Sequence, residues 1–152
     1  RSGEITSLAS FPILARYSVA LAASFGGSAC GNTFYSFGAI NLTTGAAVGF
    51  ASGPGTGAGS PVTALSVSIS NLYVGGQFSG AGAFVNSVRN FTGATDLNGG
   101  LSTWDPNFGS QVLVLTNVGS SVIAGGMFGL VNGGTAASRL ALIDANTGTL
   151  RP

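Results

Sequence analysis

The chain has 152 residues, about the length of one ordinary domain, and 45% of them are hydrophobic, enough for a buried core. Only 6% are charged, against roughly 25% in a typical soluble domain. Five arginines, no lysine, no histidine and a net charge of +1 leave no basic patch to neutralise phosphates, so nucleic-acid binding is excluded as an expectation.

In chain order, the first apolar stretch is Phe11 to Phe25, which Pro12 and Arg16 interrupt. A spanning helix needs about 20 mostly apolar residues, so no membrane span is expected here. The 26 glycines oppose long helices. Most apolar runs are also shorter than the ~9–11 residues of a transmembrane strand. The chain opens on Arg1 without a signal-peptide pattern, which reads as a processed chain or a segment of a longer array. Cys30 is the single cysteine, so an intrachain disulfide is ruled out.

Three copies of one unit organise the chain. Val19-Ala20-Leu21-Ala22-Ala23-Ser24-Phe25 is a worn version of Leu72-Tyr73-Val74-Gly75-Gly76-Gln77-Phe78. Val122-Ile123-Ala124-Gly125-Gly126-Met127-Phe128 is the third copy. Each is preceded by an apolar run: Ile5 to Leu8, Val62 to Leu65, Val112 to Leu115. Each is followed by a turn ending in glycine: Asn41 to Gly45, Asp96 to Gly100, Asp144 to Gly148. Each unit closes on a proline, at Pro54, Pro106 and Pro152. The three phenylalanines are spaced by 53 and 50 residues, a period that signals a repeat architecture.

Each unit reads as four short strands. In the second they fall at about Val62–Ser68, Asn71–Phe78, Arg89–Thr95 and Leu101–Trp104, separated by Gly, Asn and Ser clusters. Units of this length with four strands are the pattern of propeller blades. The expected fold is therefore all-β: one repeat domain over residues 1–152, with units at about 3–54, 60–106 and 110–152. They form an open array or part of a larger assembly. The glycine pairs point to close backbone packing rather than a bulge, because Ala22-Ala23 keeps the smallness without the positive-φ freedom.

The pattern Leu72-Tyr73-Val74-Gly75-Gly76-x-Phe78, then Arg89, then Asp96-x-x-x-Gly100, then Trp104-Asp105-Pro106 resembles bacterial secreted β-propeller repeats with kelch-like Gly-Gly blades. The third unit has Leu150-Arg151-Pro152 in place of the Trp-Asp-Pro end. The resemblance implies an extracellular or cell-surface setting and repeated modules. It implies no single activity.

Chemistry is sparse. Galactose-oxidase-like enzymes share the kelch-type fold that the resemblance implies, but their copper site uses histidines, and a Ser-His-Asp triad needs one; histidine is missing. A glycosidase needs two facing carboxylates, whereas Asp96 and Asp144 occupy equivalent turns and only Glu4 and Asp105 remain. No catalytic residue, metal or cofactor is expected. The Asp96/Asn98 and Asp144/Asn146 turns carry one carboxylate each, which suits a hydrogen-bonded turn better than a calcium loop. Arg89 and Arg139, fifty apart, read as repeat-related partners of aspartates. Asn41-Leu42-Thr43 and Asn90-Phe91-Thr92 fit the glycosylation pattern, making Asn41 and Asn90 candidate acceptors. Tyr73, Tyr17 and Trp104 are candidates for sugar stacking or for packing between units.

Three blades do not close a ring, which takes about 4–8. Two apolar end faces and the free strand edges would then meet water, which calls for a partner. The leading expectation is a non-enzymatic extracellular structural protein that associates with copies of itself or further repeats, as a filament or surface layer. A glycan- or partner-binding module of a larger secreted propeller is the alternative. A jelly-roll or immunoglobulin-like pilin with strand exchange, which would have no internal symmetry, is a third.

Overall fold

The computed structural model describes residues 5–13, 16–29, 32–41, 43–45, 47–48, 61–79, 81–84, 87–97 and 100–152. Side chains are described for 43–45, 61–79, 87–97 and 100–152. Cys30, Pro54 and Asn98 lie outside the described residues, as do the side chains of Tyr17, Phe25 and Asn41.

The architecture is all-β, and every strand pair is antiparallel. The first unit is a four-stranded sheet in the order β1 (Ile5–Ile13), β2 (Arg16–Ala29), β3 (Asn32–Asn41), β4 (Ala47–Val48). The second holds β5 (Val62–Val67), β6 (Asn71–Gly76), β7 (Ala81–Phe84), β8 (Ser87–Val88) and β9 (Thr92–Asp96). The third holds β10 (Val112–Val118), β11 (Ser121–Gly126), β12 (Leu130–Val131), β13 (Thr135–Ala136) and β14 (Leu140–Asp144). Units 2 and 3 share one plan: a three-stranded sheet, β5-β6-β9 or β10-β11-β14, with a small hairpin, β7-β8 or β12-β13, inserted before the last strand.

The registers coincide residue by residue. Val62 pairs with Gly76 and Ala64 with Gly75; Val112 pairs with Gly126 and Val114 with Gly125; Ile5 pairs with Ala23 and Ser7 with Ala22. Each register skips one residue of the first strand, so Thr6, Thr63 and Leu113 occupy the same β-bulge. A bulge is therefore present in all three units, on the strand facing the small-residue pair, contrary to the sequence expectation. It bends and twists the first strand. Close approach acts as well. A Cβ on Gly76 would run into the Pro61 carbonyl oxygen and come within 3.0 Å of the Val62 Cα. A Cβ on Gly126 would run into the Gln111 carbonyl oxygen and come within 2.9 Å of the Val112 Cα. Those carbonyls are held there by N–H groups of Gln77 and Met127, each at 2.9 Å.

The fourth strand of units 2 and 3 does not form. A single bridge replaces it, Thr95 to Leu101 and Ile143 to Leu150. In unit 2 local bonds compete with the ladder: the Ser102 hydroxyl accepts the Trp104 N–H at 3.2 Å, and Arg89 Nη2 donates to the Ser102 carbonyl at 3.0 Å. Two landmarks shift as a result. Phe91 and Arg139, not Arg89 and Arg139, are equivalent: both sit at positive φ, 63° and 64°, and both donate N–H to the unit's phenylalanine carbonyl, Phe78 or Phe128. The connection from that phenylalanine is two residues shorter in unit 3. Likewise Arg151 matches Ser102, since their N–H groups donate to Leu142 and Ala94. Pro152 therefore falls at the place of Thr103, not of Pro106.

The main described core lies between units 2 and 3. Tyr73, Ala64, Ala94, Trp104 and Phe108 pack against Val112, Leu115, Val122, Ala124, Phe128, Ala141 and Ile143. The Phe108 and Phe128 rings meet edge to face at 4.5 Å. Val62, Leu72, Val74 and Phe78 are also fully buried, on the side where β5 packs on β1 and β2. Gly126→Ala is expected to lose about 1–3 kcal/mol of stability in a denaturant titration, because backbone must move. Gly129→Ala, whose Cβ would meet open space, is expected to stay within about 0.5 kcal/mol of the parent.

Candidate functional site

Strand alternation divides each sheet into two faces. In unit 2 one face carries Ala64, Ser66, Tyr73, Gly75, Thr92 and Ala94, all buried. Unit 3 covers it. The Thr63 hydroxyl donates to the Val112 carbonyl at 2.6 Å, and the Ser66 hydroxyl accepts the Asn117 N–H at 2.7 Å. A Cβ on Gly75 would stand 2.9 Å from Val112 Cγ1, which shows how closely the two units approach.

The same register in unit 3 reads Val114, Thr116, Ile123, Gly125, Leu140 and Leu142. Among the described residues, nothing covers this face. Val114 is 61% exposed, Leu140 68% and Leu142 38%, with Val118 at 58% on the same strand face. Beside them lies an open apolar groove of about 510 Å³, lined by Ile123, Ala137, Leu140, Leu142, Leu150 and Pro152 among others. The face is more aliphatic than its covered counterpart, because Leu140 and Leu142 stand where Thr92 and Ala94 do in unit 2. Sequence reasoning named the open end but not these residues; the register-matched substitution of leucine for small residues was the available signal.

Tyr73 and Trp104 lie together at the covered junction, each 1% exposed, their rings edge to face at 4.8 Å. The Tyr73 hydroxyl donates to the Ala145 carbonyl and Trp104 Nε1 to the Asp144 carbonyl, both at 2.9 Å. Rings so enclosed offer no platform to a sugar; of the two roles expected for them, packing between units is the one their burial supports. Asn90 is half-buried and its amide donates to Asn107 Oδ1 at 2.8 Å, while Thr92 is fully buried. A glycan on Asn90 would have to displace that bond. Asn41 sits at the end of β3.

The described carboxylates hold structure. Asp105 pairs with Arg89 at 3.4 Å, and Asp144 with Arg151 at 2.6 Å. The Asp96 carboxylate accepts the Gly100 N–H at 2.8 Å. Asp144 accepts the N–H groups of Thr147 and Asn146, each at 2.9 Å, and Gly148 closes that turn at φ 75°. Both Asp-led turns are thus bonded through the carboxylate, but the left-handed position that the sequence predicts for the last glycine is taken by Gly148 and not by Gly100. Arg139 joins no ion pair among the described residues.

The Thr147 backbone N–H, then the Arg151 guanidinium and the Asn146 N–H, hold the Asp144 carboxyl well below the usual carboxylate range. A depressed folded-state pKa stabilises the fold above the unfolded value of about 3.9 and is lost as pH falls below it. The melting temperature is therefore expected to fall below about pH 4. Asp144→Asn should flatten that acid limb, as followed by circular dichroism. Tyr73→Phe is expected to cost about 1 kcal/mol, one hydrogen bond, and Trp104→Ala about 3–5 kcal/mol, both read from denaturant midpoints.

No helix among the described residues is long and apolar enough to cross a membrane. Compared with known proteins, the chain matches no family model, no curated protein and no solved structure.

Proposed function

We propose that the protein is a non-enzymatic structural repeat protein that assembles from its own copies through the uncovered face of unit 3. One observation carries this: Val114, Leu140 and Leu142 are exposed at positions whose counterparts in unit 2, Ala64, Thr92 and Ala94, are buried under the next unit. Among the described residues, one face of this kind is thus covered and its counterpart in unit 3 is not. Low charge supports the same reading, since little repulsion opposes association. The described aspartates are engaged in turns and ion pairs, which favours a structural over a catalytic role for them.

Face-to-face stacking at a fixed period also supports blade-like units in an open array. Together with the resemblance of Leu72–Phe78 and Trp104–Pro106 to secreted propeller repeats, it favours a place outside the cell or on its surface. A glycan-binding role has less support, because Tyr73 and Trp104 are enclosed.

Light scattering of the purified chain across the micromolar range tests the proposal. Concentration-dependent oligomers are expected, and Leu140→Asp combined with Leu142→Asp should return the chain to a folded monomer with an unchanged circular-dichroism spectrum. A well-folded monomer at every concentration would refute self-association.

A further inference from the structure

The stacking inside the chain has a direction. β10 packs on β5 and β6, and β5 packs on β1 and β2, so the first strand of each unit lies on the first two strands of the one before. Among the residues by which unit 3 joins the shared core are Leu115, Val122, Ala124, Ala141 and Ile143. Their register equivalents in unit 1 are Leu8, Val19, Leu21, Gly38 and Ile40. These five positions carry no charge, and neither do Val114, Thr116, Ile123, Leu140 and Leu142 on the exposed face.

We propose that unit 3 of one copy receives unit 1 of a second copy, head to tail, repeating the contact that joins unit 2 to unit 3. This rests on the self-association proposed above and adds its partner surface and polarity. β1 of the incoming copy lies across β10 and β11. This sets Thr116, the equivalent of Ser66, opposite Ser10, the equivalent of Asn117. The contact takes the exposed Val114, Leu140 and Leu142 out of water. Such a contact is heterologous, so it propagates until a rotation closes it into a ring or leaves a filament.

Two experiments read the polarity. In a Cys30→Ser background, Thr116→Cys and Ser10→Cys proteins are each oxidised alone and, in a third sample, mixed first and then oxidised; all three samples are resolved without reductant. Disulfides need Cβ atoms within about 4.5 Å. Several-fold more linked dimer is expected from the mixture than from either protein alone. Thr116→Cys linking to itself as well as the mixture does would show unit 3 meeting unit 3 and overturn the polarity, leaving self-association intact. Oligomers by light scattering with no disulfide in any sample would overturn it equally. Monomers throughout would refute both proposals. The second experiment avoids any change to unit 1. A minor fraction of Leu140→Asp, Leu142→Asp protein is added to the parent. Head-to-tail growth predicts that it binds through its intact unit 1 and shortens the assemblies. Assemblies of unchanged size would count against the proposal.

Discussion

A three-stranded sheet that is apolar on both faces cannot stand alone in water. Unit 2 meets this constraint on both sides: Val62, Leu72 and Val74 are buried on one face, and Ala64, Tyr73 and Ala94 on the other. Burying a side chain such as valine or leucine contributes about 1.5–3 kcal/mol, so sandwiching stabilises the unit far more than its short strands could alone. Among the described residues, unit 3 meets the constraint on one face only. That asymmetry is the basis for the proposed self-assembly.

What makes the stack possible is the geometry of the first strand. The bulge at Thr6, Thr63 and Leu113 falls opposite the small pair in every unit. It turns the strand while Gly76 and Gly126 let the neighbouring carbonyl approach within what a side chain would forbid. Small residues on the covered face then bring the next unit close enough for Thr63 and Ser66 to bond its backbone. The contact is mostly apolar with few polar pins, which suits a module that is stacked repeatedly.

Tyr73 and Trp104 add a local latch. Both are apolar bodies with one donor at the tip, and both donors find backbone carbonyls in unit 3, at Ala145 and Asp144. Asp144 in turn organises its own turn and holds Arg151. The junction therefore links an aromatic pair of one unit to the charged turn of the next. Scarce charges are concentrated where they tie backbone together, and the exposed sheet face has none.

The period, the all-β class and the bonded Asp turns were legible in the sequence, because they depend on residues close together in the chain. Glycine, asparagine and aspartate act on their own turns, and apolar alternation reports a strand wherever it packs. The missing fourth strand and the equivalence of Phe91 with Arg139 were not legible, because both depend on which carbonyl each N–H reaches across the sheet. The same is true of Tyr73 and Trp104, whose aromatic character says that they bury area but not against what. The leucines at 140 and 142 stood out only once the register put them at the positions that Thr92 and Ala94 hold in unit 2. Only tertiary packing decided which face of each sheet has a neighbour, because burial is a property of what lies opposite and not of the residue itself.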